Sequence, residues 1–224
     1  MGYLDEAGHK LVSDAVAGAE LSTSGEIVTV LADRSDGYTD VALWWAVGAS
    51  FTAMSLMAAF PQLFLDKIDW LMGGWGHEWT HGEIIGMVLG FGLLKFVVVM
   101  LIQQWQWLKF ALIPVPVRTA RVHEQAIKHF KVGADRRTHG RTGVLIYLSM
   151  REHRAEIFAD ESIASKVEPE VWGEAMGDML AEIKQGRIAE GMAAGVRDVG
   201  WVLSQHFPRA EDDQNELPDR LIEV

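Results

Sequence analysis

The chain has 224 residues, of which 49% are hydrophobic and 23% charged, and this composition excludes a wholly disordered or collagen-like protein. It contains no cysteine, so disulfide frameworks, thiolate metal sites and cysteine nucleophiles are excluded as well. Its formal charge of −11, from 20 basic and 31 acidic residues, argues against a nucleic-acid-binding surface, which needs clustered lysine and arginine to neutralise phosphates.

The first 40 residues predict one helix followed by one strand. Residues 3–21 place apolar side chains at helical spacing and acidic side chains on the other face, as in an amphipathic helix. Residues 26–32, with the sequence EIVTVLA, form a β-branched run that ends at the turn DRSDG, and this indicates a buried strand. Neither stretch has the basic segment and short apolar core of a signal peptide, so we expect none.

Two strongly apolar segments follow this strand. Residues 41–60 carry no ionisable side chain, and in residues 84–102 the only charge is Lys95. Each segment is close to the roughly 20 residues that cross about 30 Å of hydrocarbon. Most of the nine tryptophans lie at or between the segments, where rings at headgroup depth are expected: Trp44, Trp45, Trp70, Trp75, Trp79, Trp105 and Trp107. The sequence therefore predicts a two-helix transmembrane hairpin with the lipid bilayer as a partner.

Basic residues are unevenly distributed around the hairpin. The connecting loop, residues 61–83, offers only Lys67, whereas several basic side chains follow the second span closely. These are Arg118, Arg121, Lys128, Lys131, Arg136 and Arg137. Because basic loops stay in the cytoplasm, we expect a bacterial inner-membrane protein with both termini cytoplasmic and the loop outside.

Two features of the second span leave alternatives open. Lys95 is costly at mid-membrane unless its ammonium reaches the interface or finds a partner. Gly82, Gly86 and Gly90 recur every four residues, which either allows close helix approach or reflects the ordinary tolerance of membrane helices for glycine.

The remaining chain returns to alternating helices and strands. We expect, in order, a helix at 120–133, strands at 143–149 and 154–160, a helix from Pro169 to Gly186, and a last helix ending before Pro208. The acidic residues 209–224 predict a disordered tail. The order of elements indicates an α/β fold, a small mixed sheet sandwiched by helices. Its first two strands should be parallel, and the third should be antiparallel to the second.

The predicted domain is split by the hairpin. Residues 1–40 and 114–208 form its two parts, residues 41–113 form the hairpin with its interfacial loop, and residues 209–224 form the tail. The hairpin leaves from the carboxyl end of the first strand, at the edge where open α/β sheets usually bind ligands.

Several segments resemble the TPM-domain family. In residues 15–38 an amphipathic helix runs into a Thr-x-Gly-Glu-Ile-type strand, and residues 143–172 contain an apolar strand, a short basic turn and an alternating strand ending in an acid. Gly186, Gly191 and the HFP segment (206–208) are similar to the family's helical close. The resemblance implies a compact α/β/α domain, often membrane-tethered, whose members serve photosystem repair and assembly or assist receptors.

The same resemblance implies two kinds of chemistry. One relative is reported to be a weak acid phosphatase, and many members bind calcium through acids near an Asp-Asn pair that precedes the central strand. Here Arg141 and Thr142 stand in place of that pair, and only Asp160 and Glu161 match the acid at the end of the third strand. A calcium ion takes roughly six or more oxygen ligands, so this departure weakens the calcium site that the resemblance implies.

Residues 77–81, HEWTH, match the zincin pattern, in which two histidines on one helical face hold zinc and a glutamate acts as base. His77 and His81 would be the ligands and Glu78 the base. The motif follows a glycine-rich run that resists helix formation, and the second span supplies no third ligand. The alternative is that these are ordinary residues of an interfacial loop.

A second candidate site follows the first predicted strand. Asp33, Ser35 and Asp36 offer two carboxylates and a hydroxyl that could hold a metal or accept a phosphoryl group, whereas an ordinary turn would use them to bind backbone donors. Asp160 and Glu161 fall at the opposite end of the sheet if the third strand is antiparallel. The two acidic pairs would then not form one site.

These observations favour an accessory or adaptor protein for other membrane proteins. A weak metal-assisted phosphatase is the alternative, and a membrane zinc peptidase is the third hypothesis. A convergent cluster of acids with a hydroxyl or a metal would distinguish the phosphatase from the adaptor.

Overall fold

The computed structural model describes residues 2–72, 78–133, 142–210 and 217–224. Its strands are β1 (Glu26–Ala32), β2 (Gly143–Ser149), β3 (Arg154–Ala159) and β4 (Ile222–Glu223). Its helices are α1 (Glu6–Glu20), α2 (Thr39–Ala59), α3 (Pro61–Met72), α4 (His81–Ile102), α5 (Gln106–Leu112), α6 (Val115–Gly133), α7 (Glu161–Ala164), α8 (Pro169–Ile183) and α9 (Ile188–His206). They divide into two compact units, one made of Met1–Asp36 with Val115–Val224 and the other of Gly37–Pro114. We call them the sheet unit and the helical unit.

The sheet unit contains one four-stranded mixed sheet in the order β3-β2-β1-β4. β1 and β2 are parallel, with Glu26 opposite Gly143 and Ala32 opposite Ser149. β3 runs antiparallel to β2, and β4 runs parallel to β1 on the other side. The predicted mixed α/β sheet is therefore confirmed, with one strand more than expected.

Alternating side chains give each face of the sheet its own core. Ile27 and Leu31 of β1 point toward α1, α8 and α9, and they pack there with Val144 and Ile146 of β2. The other face is covered by α6 and is formed by the remaining apolar residues of β1 and β2: Val28, Val30, Ala32, Leu145 and Tyr147. Because both faces are covered, every residue of β1 and β2 is buried, which explains their continuous apolar sequences.

The end of the chain departs from the prediction of a disordered tail over 209–224. Residues 211–216 lie outside the described residues, but Leu217 and Leu221 are buried in the two cores. The Val224 N–H donates to the Leu31 carbonyl over 3.0 Å, and the Asp33 N–H donates to the Val224 carbonyl over 2.8 Å. The prediction of disorder is wrong for 217–224, because a few apolar residues with free backbone groups can cap an open strand edge despite their acidic neighbours.

The helical unit contains two helices that are long and apolar enough to cross a membrane. α2 has 21 residues and α4 has 22, which correspond to about 32 and 33 Å of helix. They meet at Gly92, whose carbonyl accepts a 2.8 Å hydrogen bond from Ser50 Oγ. A Cβ at Gly92 would lie 2.5 Å from Met54 Cγ, so a larger residue there would force the Met54 side chain to move.

The structure decides between the two alternatives for the glycine row and corrects one expectation about the connecting loop. A Cβ at Gly82, Gly86 or Gly90 would meet no described atom within 4 Å, so these glycines do not bring the helices together and Gly92 does. Residues 61–72 of the expected connecting loop form the helix α3, in which Asp66, Lys67 and Asp69 interrupt a largely apolar sequence.

Candidate functional site

The turn after β1 lies at the carboxyl end of the two parallel strands, as predicted for Asp33, Ser35 and Asp36. The helix α6 supplies two side chains that hold this turn. Arg121 Nε lies 3.2 Å from Asp36 Oδ2, and Gln125 Nε2 donates to the Ser35 carbonyl over 2.8 Å. The turn therefore forms part of the sheet unit with fixed partners on α6.

A polar network lies beneath this turn. The Ser35 N–H donates to Glu152 Oε1 over 2.9 Å, and Ser149 Oγ donates to the other carboxylate oxygen of Glu152. Ser35 Oγ donates to Ser149 Oγ over 3.1 Å and shares a 3.1 Å hydrogen bond with the Tyr147 hydroxyl. Ser35 is 4% exposed and the other three are 0–1% exposed. The network is thus closed to solvent, and its hydroxyls have no path to a substrate in this conformation.

Burial keeps the aromatic groups beside this network neutral. Burial raises the pKa of the Tyr147 phenol; the Ser35 hydrogen bond opposes this in part, and the Glu152 charge adds a lesser increase. Burial lowers the pKa of His129, whose ring stacks on Tyr147 with 5.6 Å between centroids. A neutral phenol against a neutral imidazole has no activated nucleophile, so this pair has the properties of packing residues.

Asp33 is held by two donors from other parts of the sheet unit. The Tyr3 hydroxyl donates to Oδ1, and Arg151 Nε lies 3.0 Å from both carboxylate oxygens. The Tyr3 hydrogen bond, followed by the Arg151 interactions, lowers the pKa of Asp33. These three side chains line an open groove of about 820 Å³ together with Glu223 and the chain end. The Asp33 charge is balanced within the protein, which leaves it little capacity to bind a cation.

The acids at the end of β3 occupy the opposite end of the sheet. Asp160 is buried, its Oδ2 accepts from the Gly143 N–H over 3.1 Å, and its own N–H donates to the Gly143 carbonyl over 3.0 Å. Glu161 is exposed at the start of α7. The length of β2 separates Asp160 from the Asp33 turn by roughly 20 Å, so the two acidic pairs do not converge.

The described residues contain no group of three or more histidine, aspartate and glutamate side chains placed to hold a metal ion. Arg141 lies outside these residues, and Thr142 Oγ1 donates to the Ser24 carbonyl over 3.0 Å. Asp160 thus binds the backbone at the amino end of β2, which is a structural role.

The HEWTH motif does not lie on one helix. α4 begins at His81, and Thr80 is its N-cap with a capping box to Glu83. Glu78 therefore precedes the helix, and His77 lies outside the described residues. Zincin chemistry needs both histidines on one helical face, and a capped helix that starts at the second histidine does not provide it.

Sequence reasoning missed a third acidic group, at the amino end of β1. Glu20 is the last residue of α1, and its Oε1 accepts from the Ile27 N–H over 2.9 Å. Burial, with the charges of Glu26 and Asp219, raises the pKa of Glu20 to about 8 against the opposing Ile27 hydrogen bond. Glu26 Oε2 in turn accepts from the Leu217 N–H over 3.3 Å. The sequence signal was present only as an acid at the end of an amphipathic helix, a position that is usually exposed.

Comparisons with known proteins agree with this architecture. Residues 117–201, which run from α6 into α9, match the model of the TPM domain family. The structure is similar to the NMR structure of the BA42 protein from the psychrophilic bacterium Bizionia argentinensis sp. nov., with a TM-score of 0.56 and 19% identity over 99% of this chain and 95% of that one. At this identity the similarity shows the fold alone. No curated protein matches the chain.

Proposed function

We propose that this chain, which carries a TPM domain at residues 117–201, is a membrane-anchored accessory protein that contacts other membrane proteins. The anchor would be the helical unit, which is inserted into the sheet unit between Asp36 and Val115. Because the anchor is inserted within the domain, each part of the domain is joined directly to a membrane segment. This arrangement suits a protein that acts on other proteins of the same membrane.

The inside-out polarity of the helical unit supports the membrane part of this proposal. Ser50 and Gln103 are buried and donate to the backbone carbonyls of Gly92 and Ala42, whereas Leu89, Leu93 and many other apolar side chains are exposed. In water such a surface would associate. In hydrocarbon it is the expected arrangement, because polar groups there need partners inside the protein.

The burial of the Ser35 network is the observation that favours an accessory protein over a hydrolase. A phosphatase needs a nucleophile or a metal-bound water that reaches the substrate, with cationic or metal groups around the transferred phosphoryl. Here the hydroxyls of Ser35, Tyr147 and Ser149 are buried in mutual hydrogen bonds, and Asp160 binds the backbone of Gly143. The arrangement supports a structural role for each of these groups.

The face formed by α1 and α9 has the character of a contact surface for a partner protein. Gly18, Ala15 and Gly200 line an open groove of about 630 Å³, and Trp201 at its edge is 66% exposed. The two helices are in close contact, since a Cβ at Gly200 would lie 2.5 Å from Ala19 Cβ. An exposed tryptophan beside a groove lined by small residues is typical of the anchor positions in protein interfaces.

Co-purification with a matched control tests the proposal. The tagged full chain and its Trp201→Glu and Val132→Glu variants are cross-linked in membranes and purified in mild detergent. Val132 is an exposed apolar residue of α6, so both changes add one acid at a surface site. We expect a defined set of membrane proteins with the wild type and Val132→Glu, and its loss with Trp201→Glu. Equal recovery from all three would contradict a role for this face.

We further propose that the membrane is a bacterial inner membrane with both termini in the cytoplasm, on the basis of the basic residues of α6. Arg118, Arg121, Lys128 and Lys131 follow the anchor, whereas α3 has only Lys67. A reporter active only in the periplasm should be silent after Val224 and active when inserted near Gly74. The reverse pattern would overturn this orientation.

A further inference from the structure

The helical unit contains an apolar groove that its own side chains leave open. Phe64 and Ile68 of α3 form one wall, and Met87, Phe91 and Leu94 of α4 form the other. The Phe64 and Phe91 rings are in contact, with 5.8 Å between their centroids. The volume is about 400 Å³. Because almost the whole lining is apolar, water would find few hydrogen-bond partners in this groove.

A glycine keeps this groove deep. Gly90 lies in its lining, and a Cβ there would meet no described atom within 4 Å. The space over Gly90 is therefore not used for packing within the unit. Gly86, one turn earlier on the same exposed surface of α4, has equally free space but does not line the groove.

One cation stands in the groove lining. Lys67 of α3 lines it and has no ion pair or hydrogen bond to any of the residues that the structure describes. Lys95 adds a second positive charge nearby, since its ammonium lies 5.1 Å from the centre of the Phe91 ring. Asp66 and Asp69 neighbour Lys67 in sequence but lie outside the lining, and Asp69 accepts a 3.4 Å hydrogen bond from Trp79 Nε1. An unpaired ammonium beside an apolar groove is complementary to an anionic headgroup that continues into a hydrocarbon chain.

We propose that this groove binds an anionic phospholipid, with one acyl chain over Gly90 and the phosphate on Lys67. The inference rests on the membrane insertion proposed above. It assigns separate roles to two features of the sequence: the lysine selects the headgroup charge, and the glycine provides room for the chain. Of the three glycines in the row, Gly90 would then form part of the lipid site, whereas Gly82 and Gly86 would face bulk lipid.

Native mass spectrometry with two lipids tests this site. The full chain in mild detergent is mixed with equal amounts of palmitoyl-oleoyl phosphatidylglycerol and phosphatidylcholine, and the first bound lipid is identified. We expect a preference of about fivefold for phosphatidylglycerol, the weight of one lysine facing anionic lipid. Lys67→Gln should lower the preference clearly below that of the wild type, and Lys67→Arg should retain it. Gly90→Leu should reduce binding of both lipids, and Gly86→Leu should leave both unchanged.

Three results would overturn the site: equal binding of the two lipids by the wild type, an unchanged preference in Lys67→Gln, or binding by Gly90→Leu that matches Gly86→Leu. The comparison of Lys67→Gln with Lys67→Arg still tests the site if Gly90→Leu folds poorly. Extraction by alkaline carbonate distinguishes failure of the lipid site from failure of the proposed membrane anchoring. A chain retained in the membrane without lipid preference loses only the lipid site, whereas a chain released by carbonate loses the anchor as well.

Discussion

In the sheet unit all residues of β1 and β2 are buried, whereas in the helical unit only 6% of the most apolar stretch of α4 is buried. The two regions have similar apolar sequences and opposite surroundings. In the sheet unit the protein itself removes the side chains from water, and polar groups such as Glu152 are enclosed with them. In the helical unit the apolar side chains face outward and need another apolar medium. Hydropathy therefore predicts that a segment must be removed from water but does not say what covers it.

The same substitution in both regions gives the largest contrast. Leu31→Ala removes a side chain that is 0% exposed in the core between β1 and α9, so the sheet unit should lose about 2–5 kcal/mol of its free energy of unfolding. Leu89→Ala changes a leucine of α4 that is 59% exposed and should cost little in detergent. In the full chain, hydrogen exchange of the β1 amides measures the loss in Leu31→Ala, and hydrogen exchange of the α4 amides measures it in Leu89→Ala. Equal losses would contradict the contrast between a unit that buries its apolar side chains and a unit that exposes them.

Removal of the buried carboxylate tests the enclosed polar network. Glu152→Ala leaves the Ser35 N–H without its acceptor, and a buried unsatisfied donor costs about 1–3 kcal/mol. Hydrogen exchange of β2 should report this loss in the free energy of unfolding. The exposed Glu161→Ala is the control and should stay within about 0.5 kcal/mol of the wild type. A Glu152→Ala protein as stable as the control would show that the network contributes no stability.

The strands of the sheet unit were largely predictable from the sequence. The predicted strands 26–32 and 143–149 match β1 and β2 because both are continuous apolar runs, and the 154–160 strand differs from β3 only at its last residue. The helix α3 was missed because its charged residues, with Lys67 beside the groove, made it resemble a loop. The Ser35 network was missed because Ser35 is more than 100 residues from its partners Tyr147, Ser149 and Glu152, and local patterns do not report such contacts.

A pH-dependent effect of similar size should come from Glu20, the buried acid at the amino end of β1. The pKa of Glu20 is about 8 in the folded chain and near 4.5 in the unfolded one, so the folded state binds the additional proton between these values. Stability should therefore be greatest at or below about pH 4.5 for this group and fall as pH rises toward 8, by about 1 kcal/mol per unit. Glu20→Gln keeps an acceptor for the Ile27 N–H and should remove this dependence. Exchange rates of β1 amides at pH 5 and 7 measure the difference.

The smallest expected effect concerns hydrolysis. The full chain should show negligible turnover of an aryl phosphate with or without Ca²⁺ or Mg²⁺, because Asp160 binds the backbone and Asp33 is neutralised by Arg151. Asp160→Ala and Asp36→Ala should leave the background rate unchanged. A metal-dependent rate abolished by either substitution would contradict the accessory function and favour a phosphatase whose site opens in solution.

The place of the insertion also has a consequence for biosynthesis. β1 lies between β2 and β4 in the sheet, and both of these partners follow the helical unit in the chain. A ribosome therefore completes α2 and α4 while β1 is still without either neighbour. We expect α2 and α4 to enter the bilayer first. β1 and β2 would pair afterwards, because the inserted hairpin holds the two ends of the long connection between them close together and so lowers the entropic cost of pairing. β4, which follows β2 and β3 in the chain, then covers the open edge of the first strand.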